Sequence, residues 1–543
     1  VWVASVPDPL RIAARSLRVE TSDEATRENL LYGMLMEDDP NIREAGKTLI
    51  SRLEGGAVTL AAARAMADYP SERRHELLEL LIQRADPQAF PYVYSVFRDT
   101  TDANTRPQLI RALGAVGDYR AAPDLISVLA GKEVSEQDAA RDALSRMKDP
   151  RLNAYLISVV DQQTPAVKIG LIRILAARRA VEAVPDIFAM VRDADPDTAA
   201  AAVAALGDLT GDANFSDLAG LLAGGHQVAP DQLEAAIMSA LRRVEDRDKA
   251  AGVLVDVIKK ARNPELRAVA ARALGETGSS SALPTLYREA SREKQAVRLA
   301  AIAALGKWKT PEPLEKLRKS AVSGSRGKSA VREAAVNALL ELLKNGNVPP
   351  DTALPVYREL LAAARNDEDM VKRVLAGTAN LAHPEGINLL LPYLEDQRFA
   401  AEAAVALGRV LLLTAKLDAS AQPEFCRNAM DGEPRTRWST GSPQEPGCWF
   451  QFDFGRPVPL AGVMLDTIRT PTDFPRGVAV YVFDDPGKIG EPVASVQESE
   501  CSPAMTIKFP GCAGRFLRLQ LTGTTDKPAW SIHEMRLITR AAD

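Results

Sequence analysis

The feature that most constrains the fold is a short motif, Ala-Leu-Gly, that returns along the first three quarters of the chain. It occurs at residues 112–114, 205–207, 273–275, 304–306 and 406–408. Leucines follow a regular period: Leu113, Leu144, Leu175 and Leu206 lie 31 residues apart, and Leu241, Leu274, Leu305 and Leu339 follow at steps of 35, 33, 31 and 34. Such a period has room for two helices of about 12 residues and two turns. Because one helix pair cannot bury its apolar stripe alone, the pattern predicts stacked pairs in an all-α solenoid.

Local signals mark where these helices begin. A polar residue followed by proline, at 164–165, 195–196 and 263–264, starts a helix at no cost, because the first helical residue needs no N–H donor. The second helix of a pair opens near Pro123, Pro185 and Pro284. The pattern resembles superhelical HEAT-type repeats over roughly residues 25–415, about eleven or twelve of them, after a lead-in of residues 1–24. This resemblance implies a scaffold that presents a surface to protein partners.

Composition excludes two classes of function. The chain has 67 Lys and Arg against 72 Asp and Glu, whereas a dedicated nucleic-acid-binding protein shows a basic excess. No apolar run reaches the roughly 18 residues of a membrane-spanning helix, so we expect no transmembrane segment. All four cysteines and three of the five tryptophans lie in the last quarter of the chain. That asymmetry indicates a second architecture at the C-terminal end.

From residue 445 the pattern changes to the period of two that is typical of β-strands. Apolar and polar positions alternate in residues 449–454, 478–483 and 516–521, and each run ends in a turn sequence. Short strands separated by turns predict a β-sandwich. We therefore expect a linker over residues 416–424 and an all-β domain over residues 425–543.

Four ordered blocks of this tail carry a resemblance to a known family. They are residues 429–440, with the sequence AMDGEPRTRWST, and residues 449–455, 473–483 and 530–535. In this order they resemble the discoidin domain, also called the coagulation factor V/VIII C-type domain, whose bacterial members are similar to family 32 carbohydrate-binding modules. The resemblance implies a jelly-roll sandwich of eight strands that binds a carbohydrate or another cell-surface ligand.

The same resemblance implies a structural Ca²⁺ ion apart from the sugar site. Its ligands map onto Asp431, Thr436 and Glu534, with Glu433 contributing its carbonyl group. Ca²⁺ takes about six to eight oxygen ligands and accepts a mixture of carbonyl and carboxylate groups, so these residue types suit it. The alternative is that residues 431–432 form a plain turn and that Glu534 is a surface charge.

Candidate ligand-binding residues lie near two corners of the predicted sandwich. Sugar sites combine an aromatic plane with fixed polar groups on loops. The candidates are Arg469, Asp473, Phe474, Arg476, Trp530 and His533. Phe474 and Trp530 could equally be core residues. Trp438 and Trp449 match core positions of the family, so we expect them to pack rather than to bind.

Four cysteines in one small β-domain suit a disulfide framework. Cys426 and Cys448 bracket the expected calcium loop, and Cys501 and Cys512 flank one strand or hairpin, so we predict these two pairs. The alternative is four free thiols in a cytosolic protein. Disulfides and millimolar calcium both indicate an extracytoplasmic location, periplasmic, cell-surface or secreted. The first residue is Val1, which a removed leader or a truncated upstream domain would explain.

Catalytic motifs are not found in the sequence. Residues 324–329 resemble a phosphate-binding loop, but position 322 is valine where that motif requires glycine. The four histidines are scattered, and no zinc or serine-protease pattern is present. We therefore expect a non-catalytic binding protein. Two alternatives remain: a structural subunit of a periplasmic or surface complex, and the C-terminal part of a larger secreted enzyme.

Overall fold

The computed structural model describes residues 8–322 and 330–539, and it forms two compact units, Val1–Ala282 and Leu283–Asp543. The loop at 324–329 therefore lies outside the described residues. Helices of the first unit are α1 Asp8–Thr21, α2 Glu24–Leu35, α3 Pro40–Arg52, α4 Gly56–Asp68, α5 Ser71–Arg84, α6 Phe90–Asp99, α7 Arg106–Val116, α8 Ala122–Leu129, α9 Val134–Arg146, α10 Arg151–Val160, α11 Pro165–Ala177, α12 Val184–Met190, α13 Pro196–Leu209, α14 Phe215–Gly220, α15 Pro230–Leu241, α16 Arg247–Lys260 and α17 Pro264–Thr277.

The second unit combines the remaining helices with all of the β-structure. Its helices are α18 Leu283–Glu289, α19 Gln295–Gly306, α20 Leu314–Val322, α21 Ala330–Asn345, α22 Pro350–Ala363, α23 Glu368–Thr378, α24 Glu385–Leu390 and α25 Ala400–Thr414. Its strands are β1 Lys416–Ala419, β2 Trp438–Pro443, β3 Trp449–Asp466, β4 Val478–Phe483, β5 Ala494–Val496, β6 Ala504–Leu521, β7 Ala529–Ile532 and β8 Glu534–Ile538. The predicted fold class, a helical solenoid followed by a discoidin-like sandwich, is confirmed.

The helices begin where the sequence signals placed them. Prolines 165, 196 and 264 are the first residues of α11, α13 and α17. Asp195 accepts a hydrogen bond from the Thr198 amide, and Asn263 accepts one from the Glu265 amide. Each bond satisfies one of the amide donors that a helix start leaves unpaired, which fixes the boundary.

The glycine of the Ala-Leu-Gly motif lies where the first helices of successive repeats touch. A Cβ atom added to Gly114 would lie 2.5 Å from the Cα atom of Ala143 in the next repeat, and one added to Gly207 would lie 2.7 Å from the Cα atom of Ala236. Gly306 stands in the same relation to Ala338, at 2.6 Å. These helices are therefore in backbone contact, and the small residues of the motif make that contact possible.

Arginine side chains close the C-terminal ends of several helices from the neighbouring repeat. Arg84 donates to the carbonyl oxygens of Ile50 and Leu53, both at 2.7 Å, at the end of α3. Arg178 donates in the same way to Leu144 and Met147 at the end of α9. The two acceptors have the same positions in both helices. One is two residues before the last residue of the helix, and the other directly follows that last residue. A cation at this end also complements the helix dipole.

The sandwich has one large antiparallel sheet and one small one. The large sheet has the order β1-β3-β6-β4-β5. The long strand β3 pairs with β1 through residues 450–453 and with β8 through residues 462–466. The small sheet pairs β2 with β7. Trp438 and Trp530 lie between the sheets, fully buried, with ring centroids 4.9 Å apart at nearly a right angle. Phe450 and Phe452 complete this aromatic core.

Two expectations about this domain are wrong. Residues 416–424 are not a linker, because Ala415 caps α25 and the next residue begins β1, which pairs with β3. Trp449 is not a core residue. It alternates with Phe450 on β3 and therefore faces the outer side of the sheet, where the Arg518 guanidinium group lies 4.4 Å from its ring centroid.

The sandwich contacts the last solenoid helix in the way the next repeat would. A Cβ atom on Gly408, the last glycine of the motif, would lie 2.6 Å from the carbonyl oxygen of Leu537 in β8. Arg427 donates to the carbonyl oxygens of Leu412 and Ala415 at 2.8 and 2.6 Å, the same two helical positions that Arg84 and Arg178 close in their repeats. The sandwich is thus fixed to α25 by backbone contact and capping, without an intervening flexible segment.

Substitution of the motif glycine tests the backbone contact. We expect Gly207→Ala to destabilise the protein by about 1–3 kcal/mol, because the new methyl group meets the backbone of α15. The matched control is Gly170→Ala in α11, where an added Cβ meets nothing within 4 Å. That control should be neutral or should stabilise by about 0.5–1 kcal/mol. Urea unfolding measures both, and equal effects would contradict the assignment.

Candidate functional site

The predicted calcium loop is a tight turn held by its own side chains. Gly432 has a φ of +81°, a conformation that favours glycine. One carboxylate oxygen of Asp431 accepts the Glu433 amide and the other accepts the Thr436 hydroxyl, both at 2.8 Å. The Thr436 hydroxyl also contacts the carbonyl oxygen of Glu433, at 2.8 Å. The turn therefore gathers carboxylate, hydroxyl and carbonyl oxygens in a small space.

Glu534, the first residue of β8, faces this loop. Its Oε1 atom is buried without a hydrogen-bond partner in the described part of the chain. Burial raises the pKa of the Glu534 carboxyl, and the negative charge of Asp431 acts in the same direction. The Gly432 amide, Arg409 and Arg536 act in the opposite direction. A buried oxygen without a donor, next to a second carboxylate, is suited to a cation.

The residue types present therefore fit Ca²⁺, provided that hydroxyl and backbone oxygens complete the donor set. Within residues 8–322 and 330–539, no group of three or more His, Cys, Asp and Glu side chains is placed to hold a metal. A Ca²⁺ ion here would need the Thr436 hydroxyl and backbone carbonyls besides Asp431 and Glu534. The Glu433 side chain turns to the Arg435 amide, at 3.2 Å, so only its carbonyl faces the turn.

His533 and Trp530 lie inside the domain. His533 is 5% exposed; its Nε2 atom lies 3.1 Å from the Thr470 hydroxyl, and its Nδ1 atom lies about 3 Å from the carbonyl oxygens of Pro434 and Thr436. The imidazole thus bridges the predicted calcium loop and the loop after β3. Trp530 is fully buried against Trp438. Both side chains are buried in the domain, so neither of these two predicted binding residues lies at its surface.

Asp473 is the centre of a polar cluster at the surface of that loop. Its carboxylate accepts hydrogen bonds from Arg437 at 3.2 Å, from the Ser531 hydroxyl at 3.1 Å and from the Thr472 hydroxyl at 3.1 Å. Its carbonyl oxygen accepts the Ser531 amide at 3.0 Å. The cluster joins three separate segments of the chain. It contains an ion pair between Arg437 and Asp473 beside the predicted calcium loop.

Phe474 and Arg476 form the next part of the same surface. The Arg476 guanidinium group lies 3.8 Å from the Phe474 ring centroid and donates to the Thr472 carbonyl oxygen at 3.0 Å. The fully buried amide of Gln444 fixes both residues, because it donates to the Phe474 carbonyl and accepts the Arg476 amide. Arg469 is exposed at the other end of the loop, next to Ile468, which is 59% exposed.

Sequence reasoning missed two residues of this site, Arg437 and Gln444. Arg437 directly precedes the core residue Trp438, so strand alternation alone would have placed it on the outside. Gln444 carried no such signal, because a buried glutamine is recognisable only from the backbone groups that surround it. Of the predicted loop residues, Asp473 and Arg476 both bond to Thr472, and Arg476 lies over the Phe474 ring. Arg469 is exposed at the other end of the same loop.

The predicted disulfides are not formed, and all four cysteines are free thiols. Cys512 lies inside β6 opposite Leu460, whereas Cys501 precedes that strand. The segment of β6 from residue 504 to residue 512 therefore separates the two cysteines along the sheet. Cys426 is buried in the 3₁₀-helix Pro423–Ala429, and that burial, with Asp418 and Glu424, raises its pKa to about 11.

Comparison with known proteins identifies both parts of the chain. HEAT repeats match residues 251–340, and the F5/8 type C domain matches residues 416–535. The chain therefore carries HEAT repeats and a C-terminal discoidin domain. No curated protein matches it in sequence. In the part of the chain that the structure describes, no helix is long and apolar enough to cross a membrane.

Solved structures similar to part of the chain include carbohydrate-binding modules. The family 32 module of AlyQ in complex with 4,5-unsaturated mannuronic acid is 22% identical, and the match covers 22% of this chain and 92% of that one, with a TM-score of 0.19. The family 32 module of NanJ from C. perfringens, in complex with galactose, is 16% identical, with a TM-score of 0.20. That match covers 23% of this chain and 92% of the module. A pectin-binding module is 19% identical, with a TM-score of 0.19, and the match covers 23% of this chain and 91% of that module.

Thiol titration checks the state of the cysteines. In denaturant without reductant, we expect four reactive thiols per chain, the same number as after reduction. In the native protein Cys426 should react most slowly, because its thiol is buried and forms the reactive thiolate only as the pH approaches about 11. A count of two or none in the unreduced, denatured protein would contradict the structure.

Proposed function

We propose that this chain is a non-catalytic extracytoplasmic binding protein whose discoidin domain binds carbohydrate on the loop surface around Asp473. The solenoid serves as a scaffold for protein partners. The observation that carries the proposal is the ion pair of Arg437 and Asp473 in a domain of the F5/8 type C family. The pair is partly exposed, and the buried Ser531 hydroxyl fixes the Asp473 carboxylate from inside the domain.

The chemistry of this surface suits sugar hydroxyl groups. A hydroxyl can donate to Asp473 and accept from Arg437, so a bound sugar would extend the existing ion pair rather than break it. Arg469 adds an exposed donor on the same loop. The ring of Phe474 supplies an apolar face, against which the Arg476 guanidinium group lies. Fixed polar groups beside an aromatic ring are the usual elements of a ligand site.

Glycan binding by the full chain tests the proposal. We expect binding on an array of neutral and acidic glycans, with at least a roughly tenfold loss of affinity for Arg469→Ala and for Asp473→Ala, because each removes a charge-assisted hydrogen bond. Lys488→Ala is the control, since Lys488 is an exposed cation that follows β4, at the opposite end of that strand from this loop. Absence of binding to any glycan would overturn the carbohydrate assignment.

We further propose that Asp431, Thr436, Glu534 and the Glu433 carbonyl hold a structural Ca²⁺ ion. The buried Oε1 atom of Glu534 supports this, because a cation would supply the partner it lacks. The ion would stabilise the turn that carries Arg437 and so support the glycan surface indirectly. Extracellular calcium modules bind at roughly 0.1–1 mM, which is compatible with the proposed location.

Calorimetric titration of chelator-treated protein tests the calcium site. We expect one Ca²⁺ per chain and an affinity loss of more than about tenfold for Glu534→Gln, because Ca²⁺ binds ionised carboxylates. Asp526→Asn, at an exposed carboxylate between β6 and β7, is the control. Since the pKa of Glu534 is raised, protonation should weaken calcium binding as the pH falls. No heat of binding and no shift of the unfolding midpoint with Ca²⁺ would refute the site.

A further inference from the structure

Arg409, a residue of the solenoid, lies next to the proposed calcium site of the sandwich. It is half-buried on α25, and its Nη1 atom donates to the carbonyl oxygen of Met430, the residue before Asp431, at 3.4 Å. The neighbouring Gly408 is in backbone contact with β8, which begins at Glu534. The position of this guanidinium group relative to the loop is therefore set by rigid packing.

That packing is supported on both sides of Arg409. The Thr539 hydroxyl donates to the Ala404 carbonyl oxygen at 2.9 Å, and Arg427 closes the end of α25. Helix and strand cannot separate locally without losing these bonds. Arg409 is thus a fixed neighbour of the calcium loop, and its charge acts on the loop in every molecule.

The charges that face this loop come from three elements. Asp431 belongs to the loop itself, Glu534 and Arg536 belong to β8, and Arg409 belongs to α25. Arg409 and Arg536 both favour the ionised form of Glu534, but only Arg409 also forms a hydrogen bond to the loop backbone. Arg536 is exposed, so water screens its charge more strongly.

We propose that Arg409 is an affinity-determining residue of the calcium site, supplied by the solenoid, which weakens Ca²⁺ binding and stabilises the calcium-free loop. The inference rests on the calcium site proposed above. A fixed positive charge near the ion repels it, and the same charge compensates Asp431 and Glu534 when no ion is bound. The calcium affinity of this domain is then a property of the whole chain.

The effect of Arg409 on calcium affinity and its effect on the stability of the calcium-free protein have opposite signs. This difference distinguishes the proposed role from a purely structural one. Removal of the charge should strengthen calcium binding and weaken the calcium-free protein. A residue that only supported the fold would, when removed, weaken both. Arg456 provides a matched comparison, because it also joins the sandwich to the solenoid, through a 2.5 Å hydrogen bond to Asn388, but no contact links it to the calcium loop.

The experiment titrates Ca²⁺ into the chelator-treated full chain and its Arg409→Gln, Arg409→Lys and Arg456→Gln variants, with urea unfolding in chelator alongside. We expect Arg409→Gln to bind Ca²⁺ roughly three- to tenfold more tightly and to unfold at lower urea in chelator. Arg409→Lys retains the charge and should stay within about twofold of the wild type, as should Arg456→Gln.

The other possible results distinguish a wrong role for Arg409 from a wrong calcium site. If the wild type binds Ca²⁺ and Arg409→Gln binds it equally or less tightly, the role of Arg409 is overturned and the calcium site stands. If the wild type binds no Ca²⁺, the calcium site itself is overturned and this inference with it. If Arg409→Gln does not fold, Arg409→Met, which keeps the packing of the side chain, replaces it with the same expected gain.

Discussion

Backbone contact between helices is the constraint on which the rest of this structure depends. At Gly114, Gly207 and Gly306 the absence of a Cβ atom lets the first helix of one repeat reach the backbone of the next. Any side chain there would push the helices apart and open the alanine-lined core between them. At Gly408 the same requirement is met by a β-strand instead of a helix. The motif therefore accounts both for the stacking of repeats and for the way the stack ends.

Arginine side chains cap carbonyl groups that have no hydrogen-bond partner within the helix, at the C-terminal ends of helices in this stack. Arg84 and Arg178 serve two repeats, and Arg427, from a 3₁₀-helix of the sandwich, serves α25 at the equivalent positions. Burial lowers the pKa of Arg84 and of Arg178, which indicates how far these side chains are withdrawn from water. The discoidin domain thus provides the last helix with the glycine contact and the cap that a further repeat would have supplied.

The sequence was sufficient for the features that depend on local spacing. Proline and capping residues gave the helix starts, the leucine period gave the solenoid, and the discoidin blocks gave the sandwich and brought Asp431, Thr436 and Glu534 together. Predictions from the sequence were wrong, or could not be made, where a contact depends on the three-dimensional distance between residues. Cys501 and Cys512 are close in sequence, but an extended strand separates them. Trp449 matched a family core position, yet strand alternation turns it outward. Arg409 is more than a hundred residues from Glu534, and no pattern in the sequence connects them.

The direct passage from α25 into β1 has a mechanical consequence. Ala415 is the single residue between the last helical turn and the first paired strand, so the sandwich has no slack with which to turn about the helix. A force applied at the loops around Asp473 would reach α25 through β1 and its pairing with β3, and also through the contacts of β8 and Arg427 with the helix. In a protein anchored by its helices, such a joint would hold a ligand at one orientation and would transmit strain where a flexible tether would absorb it.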